Sequence, residues 1–299
     1  MTGDVLEAHG VSVDAGSLLA LRYLMDTAPD AVPSMTALPG SFVHKRRGRG
    51  LEVADVRIFE EGDDIRHVDC NATARTGVPH VRTFQDERDR TTLLIADFRA
   101  PMLWGTRRAF RSVAAAEQLA LIGWRTIAEG GRVGLMALSC AEPVFVPIRG
   151  RERAMIAVVG GLVKAHRTAL QQQISNPRDE PQPLDDCLRM VEQLAPHGAS
   201  VLLASSLDEV GPEWETVITA LAHRVSFSVL HLRDAFEQNP DEGSYPFESS
   251  AGRVGLGFVK GEDRHLVDDV VTRLPELGVS VCPIDSALAP GERGMPNGG

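Results

Sequence analysis

Hydrophobic positions change their spacing several times along this chain, and each change marks an element. From Ser17 to Thr27 (SLLALRYLMDT), Leu18, Leu21, Leu24 and Met25 fall on one helical face, which predicts a short amphipathic helix. Residues 28–40 carry Pro29, Pro33, Pro39 and Gly40 and read as an extended connection. Between Ser41 and Arg90 the charges are dense and evenly spread. Only Leu51–Phe59 and Pro79–Phe84 alternate enough there to predict short strands.

At Thr91 the texture changes to strand–helix units. Thr91–Asp97 (TTLLIAD) is an apolar run ending in an acid, the pattern of a strand buried on both faces. Thr106 is the expected N-cap of a long helix through Glu129, closed by Gly130-Gly131, with Phe110, Val113, Ala114, Leu121, Trp124 and Ile127 as its apolar stripe. Arg132–Ser139 and Val144–Ile148 follow as strands joined only by Cys140–Pro143. That link is too short for a parallel crossover, so an antiparallel edge strand is expected. Helices are predicted at Arg151–Arg167, Leu184–Leu194, Glu213–His223 and Asp263–Leu274, and strands at Ala199–Ser206, Val225–Leu232 and Val279–Ile284. Gln171–Pro183 and Asn239–Ser250 read as polar loops, and Arg253–Val259 as a further edge strand.

Alternating strands and helices predict an α/β fold: an open, mostly parallel, Rossmann-like sheet with one antiparallel edge strand, preceded by a β-rich module. The expected organisation is an N-terminal helix and connection over 1–40, a charged β-rich module over 41–90, the α/β domain over 91–289 and a disordered tail over 290–299.

Composition narrows the function classes. Apolar residues make up 43% and charged residues 24%, an ordinary globular balance, while aromatics at 5% leave the core to aliphatic side chains. The formal charge of −10 argues against a dedicated nucleic-acid binder. The basic run His44-Lys45-Arg46-Arg47, extended as Lys45–Arg49, is the one segment that keeps a nucleic-acid-binding module open as an alternative. No apolar run is long enough to span a bilayer, and the start MTGDVLEAHG lacks a signal pattern. Cys70, Cys140, Cys187 and Cys282 form no CxxC pair and read as reduced thiols of a cytoplasmic protein. The chain holds no G-x-S-x-G, Walker-type loop or HExxH, and Gly160-Gly161 reads as helix packing rather than a phosphate loop. No cofactor is expected.

Ligands of open parallel sheets sit beyond the carboxyl ends of the strands, where strand order reverses. The strand ending at Asp97 continues as Phe98-Arg99-Ala100-Pro101, and the one starting at Ala199 ends in Ser205-Ser206-Leu207-Asp208. If these strands are neighbours, Asp97, Arg99, Ser205, Ser206 and Asp208 meet at one rim.

The charged module carries a motif. Gly48-Arg49-Gly50-Leu51-Glu52, Arg57, Gly62-Asp63-Asp64-Ile65-Arg66, Asp69 and Ala74-Arg75 are followed by Asp86–Arg90, the strand to Asp97, Met102, Gly105-Thr106 and Arg132-Val133-Gly134-Leu135. In these residues the chain resembles the family known as domain of unknown function fifty-eight, whose core is similar to the von Willebrand factor A domain. The resemblance is strong over about residues 15–170 and weaker to 289. It implies a von Willebrand A-like fold and a partnership with MoxR-type AAA+ ATPases in assembling or activating other proteins. The family's spacing makes Arg57, Glu61, Asp63, Asp64, Arg66, Asp69 and Arg75 the expected partner surface. A working von Willebrand A site uses D-x-S-x-S with a later Thr and Asp to hold Mg²⁺. Here Asp97 is kept, but the serine positions are Arg99 and Pro101, the later Asp position is Ser206, and the Thr position falls near Gln182-Pro183. A guanidinium has no lone pair to offer a cation. The resemblance therefore implies a degenerate site holding no metal, with Arg99 as the counter-ion of Asp97, in a non-enzymatic adaptor. The alternative that stays open is a metal-dependent hydrolase or nuclease using Asp97 and Asp208.

Overall fold

A computed structural model of the protein describes residues 9–27, 52–59, 65, 68–85, 91–139, 142–177, 182–238, 240–248, 254–260 and 269–292, with backbone alone for 25–27, 52–57, 82–85 and 248. The chain divides into two compact units, Phe42–Arg90 and the remainder, Met1–Ser41 with Thr91–Gly299.

In the larger unit α1 (Ala15–Ala20) and α2 (Arg22–Thr27) stand where one helix was expected. Asp14 starts α1 by accepting a hydrogen bond from the Ser17 amide at 2.6 Å, which satisfies one of the free N–H groups of the first turn. In the smaller unit, β1 (Glu52–Ile58) and β2 (His80–Gln85) form an antiparallel hairpin. Between them lies a helix that alternation did not foretell, α3 (Cys70–Thr76). Asp69 caps it and Gly77, at φ 74°, closes it in the left-handed conformation that glycine adopts without a Cβ clash.

The larger unit continues with β3 (Thr91–Asp97), α4 (Arg111–Ala128), β4 (Arg132–Leu138), β5 (Val144–Gly150), α5 (Glu152–Ser175), α6 (Leu184–Leu188), α7 (Val191–Leu194) and β6 (Ser200–Ser205). It closes with α8 (Trp214–Arg224), β7 (Ser226–Arg233), α9 (Ala235–Gln238), β8 (Gly243–Glu248), β9 (Val254–Val259), α10 (Asp269–Arg273) and β10 (Ser280–Asp285). Six strands form one sheet in the order β10-β7-β6-β3-β4-β5. All neighbours are parallel except β4 and β5, so the expected antiparallel edge strand is present.

Side-chain alternation sends Leu94 and Ala96 of β3 to one face, against α4 and α5, and Leu93 and Ile95 to the other, against α6–α8. Both faces are covered, which is why Leu93–Ala96 in the middle of the strand is a continuous apolar run rather than an alternating one. Gly161 lets α5 lie close to the sheet: a Cβ there would stand 2.8 Å from Leu135 Cδ2 and 2.9 Å from Val146 Cγ2. The packing role expected for this glycine fits that geometry. Among the described residues no helix is long and apolar enough to cross a membrane.

Several expectations need correction. The long helix begins at Arg111, not after Thr106, because the Thr106 side chain is taken by a tertiary partner, Asp234. Helix α5 runs to Ser175, into the stretch expected as a polar loop, since Ala169 and Leu170 still bury an apolar stripe there. The helix expected over Leu184–Leu194 is two short ones, α6 and α7. Residues 239–250 hold a strand, β8, and the strand expected at the edge of the main sheet, β9, pairs with β8 as a separate antiparallel hairpin. The helix expected from Asp263 is described only from Asp269, and a 3-10 turn, Leu274–Leu277, ends it. The tail beyond residue 292 lies outside the described residues.

The N-terminal helices are pinned by one buried bond. Trp124, 5% exposed in α4, donates its indole N–H to the Leu18 carbonyl at 3.0 Å. Trp124→Phe keeps an aromatic ring in the core and removes the donor from that carbonyl. It is expected to lower unfolding free energy in urea by about 1 kcal/mol.

Candidate functional site

Strand β3 is followed by β4 on one side, while β6 and β7 extend the sheet on the other, so strand order reverses between β3 and β6. Neighbouring parallel strands diverge at that point and leave a crevice beyond their carboxyl ends. Asp97 ends β3 and Ser205 ends β6, both fully buried.

Asp97 is saturated. Its Oδ1 accepts from the Arg99 amide and from Arg99 Nε, each at 3.0 Å. Its Oδ2 accepts from Arg99 Nη2 at 2.9 Å and from Ser205 Oγ at 2.7 Å. The guanidinium meets the carboxylate fork to fork, the strongest geometry open to such a pair. The rest of Arg99 is equally occupied. Nη1 donates to the carbonyls of Gln182 at 2.9 Å and Glu209 at 3.1 Å, and Nη2 to that of Asp208 at 3.0 Å. All five N–H groups of a side chain with no exposed surface are thus satisfied. Burial by itself would lower the Arg99 pKa, but the Asp97 carboxylate outweighs it and holds it above its usual value.

The loop after β6 is shaped around this pair. Leu207 and Glu209 have φ of 61° and 52°, a left-handed backbone that side chains with a Cβ adopt at a cost of ~1 kcal/mol or more each. Ser205 Oγ accepts from the Leu207 amide at 3.0 Å, and Arg99 takes the next two carbonyls. Nearby, burial pushes the Cys187 thiol up to about 11, which keeps it protonated and inert.

A second tier lies outside the first. Arg111 is 2% exposed and stacks 4.6 Å above Trp104. Its Nη2 donates to Asp208 Oδ2 at 3.0 Å and to the Pro101 carbonyl, and its Nη1 to Glu237 Oε1 at 2.6 Å. Ser206 Oγ also donates to Asp208 Oδ2, at 2.8 Å. Beside them Asp234, fully buried at the end of β7, accepts from the Thr106 amide at 3.0 Å, the Thr106 hydroxyl, the Phe236 amide at 2.9 Å and Ser286 Oγ at 3.2 Å. Burial alone would raise the Asp234 pKa; the Thr106 hydroxyl and the surrounding donors outweigh it and hold the carboxyl below its ordinary range.

The five rim residues expected from sequence are therefore brought together, in two groups. Arg99 and Ser205 both bond to Asp97, Ser206 and Arg111 both bond to the Asp208 carboxylate, and Arg99 links the two groups through the Asp208 carbonyl. Sequence reasoning missed Arg111, Asp234 and Glu237. Asp234 had a local signal: Asp234-Ala235-Phe236-Glu237 is a capping pattern, and Glu237 Oε2 accepts from the Asp234 amide at 2.7 Å.

Of the expected partner surface, Asp69 is 8% exposed and its carboxylate accepts from the Ala72 amide at 2.8 Å, so it serves a helix cap. Arg75 is exposed in the last turn of that helix, where a cation suits the helix dipole. The Arg57 side chain, Glu61, Asp63, Asp64 and Arg66 lie outside the described residues, as does Lys45–Arg49.

Comparison with known proteins places the chain among relatives. Three uncharacterized mycobacterial proteins are 28% identical over 246 residues, 80% of this chain and 72% of each of them. They are Mb1516 of Mycobacterium bovis and MT1527 and Rv1480 of Mycobacterium tuberculosis. Among solved structures, the conserved hypothetical protein BatB of Bacteroides thetaiotaomicron aligns with a TM-score of 0.42 at 12% identity, over 65% of this chain and 89% of that one. The model of the family described as "Protein of unknown function DUF58" matches residues 55–256, more than half of the sequence, and the chain belongs to that family.

Proposed function

We propose that this protein is a non-enzymatic adaptor that recognises other proteins, working with a MoxR-type AAA+ ATPase, and that its rim is a degenerate von Willebrand A-type metal site. The observation that carries the reading is the Arg99 guanidinium, which occupies both oxygens of the strand-end carboxylate from inside the protein. Mg²⁺ needs about six oxygen ligands at short distance. Here the carboxylate is spent, and a resident positive charge at ~4 Å would cost roughly 4 kcal/mol per unit of cation charge at an effective dielectric of ~20. An ion bridging to a partner's acid is replaced by a fixed internal pair. Recognition then falls to surface charge and shape, which salt screens.

Calorimetry tests the site. Wild-type protein titrated with Mg²⁺ or Mn²⁺ to several millimolar should give no saturable heat, while Arg99→Ser, which restores a hydroxyl and removes the cation, should gain one. Saturable binding by the wild type would end the reading and favour the metal-dependent hydrolase. The partnership is tested separately, by capture of a purified MoxR-type ATPase. Capture should weaken steeply between about 0.05 and 0.5 M NaCl, the range over which the Debye length falls below about 5 Å. Salt-insensitive capture would contradict recognition by surface charge.

A further inference from the structure

Strand β5 turns into helix α5 at Gly150-Arg151, and the corner encloses an open concavity of about 690 Å³. Its lining includes Arg149, Arg151 and Arg153, all exposed, above a floor of Val146, Pro147 and Ala157. Among the described residues none of these three side chains takes part in an ion pair or a side-chain hydrogen bond. The one carboxylate of the lining, Glu152, is engaged by Arg22 at 2.7 Å. Three uncompensated arginines thus converge on one surface of a protein whose net charge is −10. Like charges lining one concavity repel, and the N-terminal end of a 24-residue helix adds to the positive potential rather than relieving it. Arg151 also sits at φ 69°, ψ 169°, a backbone conformation that glycine would occupy without strain.

We propose that the three arginines at the β5–α5 corner form a docking surface for an acidic, carboxylate-rich peptide segment of a protein partner. Exposure selects the occupant. A free phosphate is held tightly by buried, convergent donors, whereas exposed arginines each contribute little and gain only when several charges on one chain engage together. The concavity exceeds what one small anion fills, and its apolar floor suits side chains between the acids. Arginine with neighbouring apolar surface is the composition of protein interfaces, and exposed Ile156 on α5 extends that surface. The inference concerns a surface apart from the Asp97 rim and does not depend on the reading of that rim.

The test is fluorescence anisotropy of the full chain with a labelled dodecapeptide alternating Glu with Leu and Ala. Binding is expected at low salt, with the triple variant Arg149→Gln, Arg151→Gln, Arg153→Gln weakened about tenfold or more, as summed exposed pairs allow. The charge-matched variant Lys164→Gln, Arg167→Gln, Arg189→Gln, at exposed positions elsewhere, should weaken less than twofold. Arg151→Gly separates charge from structure: it relieves the backbone, raising Tm by about 2–4 °C, yet should weaken the peptide two- to fivefold. Absence of binding, equal weakening by both triple variants, or unchanged affinity in Arg151→Gly would overturn the proposal. So would displacement of the peptide by low-millimolar inorganic phosphate or by vesicles of anionic lipid, which would mark a phosphate or membrane surface instead.

Discussion

Arg99→Ala is expected to cost the protein about 3–5 kcal/mol of unfolding free energy, the usual range for removing one member of a buried ion pair. The Asp97 carboxylate would keep only its bond from Ser205 and the Arg99 amide, and the carbonyls of Gln182, Asp208 and Glu209 would each lose a donor. The left-handed loop Leu207–Glu209 would lose the contacts that hold it. The double variant Asp97→Leu, Arg99→Met removes both charges together and should recover part of the loss, because an apolar pair does not leave a bare ion in the interior. Urea denaturation of wild type, single and double variants measures both terms. A single variant within 1 kcal/mol of wild type would mean the pair is not the strut its geometry describes.

The second large effect lies at Asp234. Asp234→Ala leaves the amides of Thr106 and Phe236 without acceptors in a closed site, and about 2–4 kcal/mol should be lost. The residue also sets an acid limit. Its folded-state pKa is below the ordinary 3.8, so the folded state binds this proton less readily than the unfolded chain does. The stability it contributes is fully present above that ordinary value and is lost as pH falls through the lowered one. Asp234→Asn should therefore lack this part of the acid weakening, so that its stability deficit relative to the wild type narrows as pH falls through the lowered value. His166 moves in the same direction. It is 1% exposed, bonded to Ser112 Oγ at 2.9 Å, and burial lowers its pKa to about 4. Its neutral form is the folded one, so its contribution is present above about pH 6.5 and declines below that, levelling off once pH passes the folded value. A stability-against-pH profile of the Asp234→Asn, His166→Gln variant that matched the wild type would refute both assignments.

Local pattern was sufficient wherever burial on two faces dictates composition. The centres of β3 (Leu93–Ala96) and β6 (Val201–Ala204) are unbroken apolar runs, and the short link between β4 and β5 forced an antiparallel pair. It failed where a partner distant in sequence takes over a residue's hydrogen bonds. Thr106 has the chemistry of a helix cap, yet Asp234, 128 residues later, holds it. Residues 243–248 (GSYPFE) look like loop because glycine, proline and glutamate interrupt them, and they become a strand only against Val254–Val259.

The sequence by itself determined the strand–helix alternation, the family, and the acid and serine that end two strands. Those depend on residue type and near neighbours. The tertiary structure alone decided that these strands lie side by side, that Arg99 turns back on Asp97 with every donor filled, and that Arg111 joins Asp208 to Glu237. The reason is physical: a buried charge is tolerable only when groups from several segments close around it, and no local pattern records which segments will meet.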